Sequence, residues 1–109
     1  ICDANGAECD IDLKVGYPFL KNDPKLTTKS KESAIEYLGK ENVIDLSLRM
    51  TSEDFSFFSQ VSPSWFYRLG TGDGKTIIKL HTSTFDVNED ALRTSTGLMA
   101  YIVLKELNS

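Results

Sequence analysis

The sequence predicts an α/β arrangement (α+β if this stretch stands alone), and three observations carry that prediction. Two segments alternate apolar and polar residues with the period of a half-buried strand. Other segments space their apolar residues three and four apart, as a helix does. The two kinds interleave along the chain instead of segregating, and no repeat or low-complexity run interrupts them.

Taken in order, ICDANGAEC reads as the end of a helix, with Asn5-Gly6 supplying the left-handed residue that stops it. The chain then alternates: Cys9, Ile11, Leu13 and Val15 fall on one face, Asp10, Asp12 and Lys14 on the other. Pro18 ends or bends this strand, because it has no N–H to give to a ladder. A helix follows in NDPKLTTKSKESAIEYLGKENV. Asp23 suits its cap and Pro24 its first position; Leu26, Ala34, Tyr37 and Leu38 form an apolar stripe, and Gly39 stops it. VIDLSLRM alternates again, with Ile44, Leu46, Leu48 and Met50 inward and Asp45, Ser47 and Arg49 outward.

TSEDFSFFSQVSP is expected to form a short helix with a hydroxyl cap. Its first turn would carry Glu53 and Asp54, its apolar spacing runs through Phe55, Phe58 and Val61, and Pro63 closes it. SWFYRLG is expected as an aromatic-rich strand, TGDGK as a turn and TIIKL as another short strand. The last helix is expected from about Val87 to Leu107, capped by Asp86 or Asn88. Ala91, Leu92, Leu98, Met99, Ile102 and Leu107 then share one side.

Composition bounds the function. With 109 residues, 40% hydrophobic and 26% charged, the chain has the profile of one globular domain with one modest core. A net charge of −4 and the lack of a basic stripe argue against nucleic acid as the main partner. No apolar run approaches the ~18 residues needed to span a bilayer. The acidic N-terminal stretch does not resemble a signal peptide, so a cytoplasmic location is expected. A start at Ile1 in place of Met predicts a longer parent. Cys2 and Cys9 have six residues between them, against about two to four in a zinc knuckle. They are expected as reduced thiols, with a disulfide across the Gly6 turn as the alternative.

His81 is the single histidine. It reads either as a solvated loop residue or as a metal ligand. A catalytic metal needs several protein ligands, and no second histidine is available, so a self-contained site is not expected. A site shared with residues elsewhere in a longer protein stays open. Glu53 and Asp54 read either as acids that complement a helix dipole or as acceptors that fix an imidazole. GTGDGK lies between two expected strands instead of before a helix, so it reads as a hairpin turn and not a phosphate loop, and no Gly-x-Ser-x-Gly string occurs. Phe55, Phe57, Phe58, Trp65, Phe66 and Tyr67 are expected in the core, with one or two lining a pocket.

Three stretches, GYPFLKND, RMTSEDFSFFSQVSPSWFYRLG and LHTSTFDVNEDAL, occur in this order. Together they resemble the C-terminal part of the metal-dependent amidohydrolases: hippurate hydrolases, N-acyl-amino-acid deacetylases and auxin-conjugate hydrolases. These group with the aminoacylases and glutamate carboxypeptidases in one metallopeptidase family, and the resemblance covers nearly the whole chain. It implies a two-metal catalytic domain interrupted by a smaller lid domain that also forms the homodimer. Residues 1–15 would be the end of the lid, and residues 16–109 the C-terminal portion of the catalytic domain. His81 would be the last metal ligand, with Glu53 and Asp54 close to the site. The implied chemistry is attack of metal-activated water on the amide of an N-acyl amino acid or small peptide. The metal would be zinc, manganese or cobalt, and a glutamate would carry the proton.

The family's other site strings, His-x-Cys-Gly-His-Asp and Glu-Glu, do not occur in this sequence, and Cys2 and Cys9 do not match them. The stretch is therefore expected to be inactive without the N-terminal part of the same protein. That reading predicts an exposed His81 and uncovered apolar surface. The competing reading is a stand-alone α+β binding module without chemistry, with sealed sheet edges and His81 as a loop residue.

Overall fold

The structure, a computed structural model, describes residues 2–75 and 79–108. Its clearest element follows from local chemistry. Asp23 lies in extended backbone (φ −66°, ψ 126°) and its carboxylate accepts the Leu26 N–H at 2.8 Å. Pro24 occupies the first turn, where no N–H is needed. Helix α1 then runs Pro24–Leu38. Gly39 ends it at φ 89°, a left-handed value that a side chain would strain, and its N–H returns to the Ile35 carbonyl. At the N-terminus the expected helix end is a short 3-10 turn, Asp3–Asn5, stopped by Gly6 at φ 64°.

Helix α2 covers Ser56–Val61 and α3 covers Asp90–Leu107. Both start later than the spacing predicts. Glu53 and Asp54 precede α2, and their carbonyls accept the N–H groups of Ser56 and Phe57, each at 3.1 Å. Phe55 holds the capping position with no side-chain bond, so the hydroxyls of Thr51 and Ser52 do not cap this helix. Before α3 the Asn88 side-chain oxygen accepts the Asp90 N–H at 3.1 Å, and its carbonyl accepts that of Ala91 at 3.0 Å. That turn uses up the residues the pattern assigns to the helix. Asp86 bonds the Val87 N–H, and Glu89 holds the capping position with no side-chain bond, so neither Asp86 nor Asn88 is the cap of α3.

The core lies where α3 packs on α1. Ala34, Leu98 and Ile102 are buried there, and Leu38, Val43, Trp65, Tyr67 and Leu69 pack around them. Trp65 stacks on Tyr67 with ring centres 4.7 Å apart. Tyr37 and Tyr101 meet across the helices at 5.3 Å, and a Cβ at position 97 would land on the Tyr37 hydroxyl, so Gly97 permits the close approach. Two ion pairs flank the contact, Lys29–Glu106 at 2.9 Å and Lys105–Glu36 at 2.7 Å. The Lys105 bond, seconded by Tyr101, holds the Glu36 carboxyl below its usual range, and the same bond raises Lys105.

The strands are the main departure. Residues 9–15, 44–50 and 64–69 carry no ladder among the described residues, and most of the strand expected at TIIKL lies outside them. The α/β arrangement is therefore not realised within the described residues, which are helical and extended. The physical reason is that alternation supplies a face but not a neighbour: a ladder needs a second backbone alongside. The apolar rows stay open, with Val15 95%, Leu48 94% and Met50 97% exposed. The aromatic cluster is likewise only partly internal, with Phe57 and Phe58 exposed and Trp65 and Tyr67 on the core. The radius of gyration is 20.0 Å, where a compact domain of this length has about 13 Å.

One segment is stitched without a sheet. The Asn22 amide donates to the Phe66 carbonyl at 2.9 Å and accepts the Phe66 N–H at 2.8 Å, as a strand's backbone would. Asp23 N–H meets the Ser64 carbonyl at 2.8 Å, and the Gln60 amide meets the Phe19 carbonyl at 3.0 Å. Asn22→Asp keeps the acceptor but sets a second acceptor against the Phe66 carbonyl. It is expected to lower stability by about 1–3 kcal/mol, read as a lower urea midpoint; an unchanged midpoint would remove Asn22 from the fold's supports.

Candidate functional site

His81 sits in an exposed turn and is the one non-glycine among the described residues with positive φ, 62°. Left-handed backbone costs an L-residue about 1–2 kcal/mol, although histidine tolerates it better than most. The turn is closed from both sides. The Thr82 hydroxyl donates to the Lys79 carbonyl at 2.9 Å, and the Thr82 carbonyl accepts the Phe85 N–H at 3.1 Å. Asn88 N–H donates to the Thr71 carbonyl at 2.9 Å, tying the far end of the loop to the glycine-rich turn.

Glu53 is half-buried, and its carboxylate meets the Phe55 N–H at 3.5 Å. It is held by its own turn. Asp54 is exposed beside it. Behind the pair, Phe55 packs against Phe58 at 5.7 Å and Phe66 at 5.6 Å, while Ser56 is fully buried. The acids thus sit on an aromatic support, but no group of three His, Cys, Asp or Glu side chains among the described residues is placed to hold a metal. The structure does not gather His81, Glu53 and Asp54 into such a group. Cys2 and Cys9 are free thiols and join none either.

For a metal, this chain offers an exposed imidazole on a fixed turn. That fits one ligand and falls short of a site. The open cavity between the start of α1 and the end of α3, about 470 Å³, is lined by Asp23, Lys25, Lys29 and Glu106 among others, and none of the three candidate residues reaches it. Sequence reasoning missed Asn22 and Thr82. An amide two residues before a helix-starting proline and a hydroxyl directly after the lone histidine were the available signals.

Residues 5–105 match the model described as peptidase family M20/M25/M40. The chain is 32% identical to an N-acetyldiaminopimelate deacetylase of Lactobacillus acidophilus, over 86% of this chain and 25% of that protein. It is 30% identical to thermostable carboxypeptidase 2 of Saccharolobus solfataricus, over 99% and 28% respectively. An uncharacterized hydrolase of Staphylococcus saprophyticus is 36% identical, over 78% and 22%. The chain spans about a quarter of the length of these relatives. No solved structure matches it. No described helix is long and apolar enough to cross a membrane.

Proposed function

Because the chain belongs to peptidase family M20/M25/M40, we propose that it is the C-terminal portion of a metal-dependent amidohydrolase acting on N-acyl amino acids or small peptides. Residues 1–15 end a lid and dimerisation domain, and residues 16–109 complete a catalytic domain with an α/β sheet. The observation that carries this reading is the pair of uncovered apolar rows, residues 9–15 and 44–50, in a chain that matches the family almost end to end. Strands from the rest of the protein cover those rows. A self-sufficient binding module requires closed edges, and these are open.

His81 supplies one neutral ring nitrogen to a divalent metal whose other ligands lie outside these 109 residues. Zinc, manganese and cobalt all suit an imidazole-and-carboxylate set. When bound, such a metal polarises the amide carbonyl and makes water acidic enough to react near neutral pH. Glu53 and Asp54 form part of the site wall, where a carboxylate can accept the second imidazole N–H and fix the ring. The protein works as a cytoplasmic homodimer, without nucleic acid or membrane partners.

The test compares two lengths of the protein on a panel of N-acyl amino acids. The 109-residue chain is expected to be inert, and the chain extended to the length of its relatives active. Chelation should abolish that activity and zinc, manganese or cobalt restore it. Activity that survives complete removal of the metal would overturn the reading, as would an extended protein inert on every amide tried.

A further inference from the structure

We propose that Thr82 is a positioning residue: its hydroxyl locks His81 in the left-handed conformation and so sets the direction in which the imidazole leaves the turn. A non-glycine residue does not keep φ 62° by its own preference, so the surrounding chain has to impose it. The Thr82 hydroxyl reaches back over His81 and Leu80 to the Lys79 carbonyl, at 2.9 Å. The carbonyl of the same residue accepts the Phe85 N–H at 3.1 Å, which fixes Thr82 from the other side. Thr84 adds a hydroxyl contact at 3.4 Å. Returning His81 to extended backbone would swing Thr82 away from Lys79 and break that first bond. The threonine next to the histidine thus couples a side-chain hydrogen bond to the histidine's backbone, without touching its ring.

The backbone role stands on these bonds alone. Its consequence for metal affinity rests on reading His81 as a ligand. In the 109-residue chain His81 is the only histidine, so selective labelling gives one resonance set. The Cα and Cβ shifts of His81 are expected to report left-handed backbone in the parent and in Thr82→Ser, which keeps the hydroxyl. In Thr82→Val, which keeps the shape and loses it, they should move to extended values. In the full-length protein, zinc affinity measured by chelator competition is expected to fall about 10-fold in Thr82→Val and to recover in Thr82→Ser. Left-handed shifts that persist in Thr82→Val overturn the proposal. An affinity unchanged by His81→Ala overturns the ligand reading alone, and the shift measurement still decides Thr82.

Discussion

Replacing His81 by alanine in the full-length protein is expected to lower amide hydrolysis by roughly 100-fold or more. Losing merely an outer partner of a ligand histidine costs about 10–100-fold, so losing the ligand itself belongs at or above the top of that range. Bound metal per protomer should fall in parallel. Folding should not, because the side chain is exposed and packs on nothing in the core. His81→Gly sharpens the result. Glycine accepts φ 62° freely, so this variant should be as inactive as His81→Ala yet slightly more stable. Hydrolysis at the parental rate in both variants would sink the assignment.

Leu98→Ala is expected to cost about 2–5 kcal/mol. Leu98 is 2% exposed and shares the buried core with Ala34 and Ile102 alone among the described hydrophobics. A cavity there cannot be filled by Ala34, and the larger neighbours Trp65 and Tyr67 are held by stacking on each other. Against a total stability of about 5–15 kcal/mol the loss is severe, and in a chain this open it should melt the α1–α3 pair. Circular dichroism during urea unfolding reads the change directly; a shift worth less than about 1 kcal/mol would move the structural core elsewhere.

What the sequence disclosed depended on how local the physics was. Helix α1 was legible because Asp23, Pro24 and Gly39 act within a few residues of themselves. The starts of α2 and α3 were displaced because backbone carbonyls at Glu53, Asp54 and Asn88 close the turns there, and no side-chain spacing announces them. The rows at 9–15 and 44–50 were legible as faces, whereas their neighbours were not, since alternation carries no address for the strand that completes a ladder. The two-way bond of Asn22 could not be read at all, because its partner lies 44 positions away at Phe66. For the site, composition alone left His81 undecided between a loop residue and a ligand. The resemblance of its surrounding string supplied the second reading, and its left-handed backbone came only with the structure.

The ion pairs on either side of the helix contact have one more consequence. On α1 the positive charge precedes the negative one, Lys29 before Glu36, two turns apart, or about 10 Å. On α3 the partners are adjacent, Lys105 and Glu106. Sliding α3 two turns along α1 one way would set Lys105 against Lys29; sliding it the other way would set Glu106 against Glu36. Each exposed pair adds little to stability by itself. As a set they work like a keyed fitting: either two-turn slip brings like charges together, whereas the observed docking joins opposite ones.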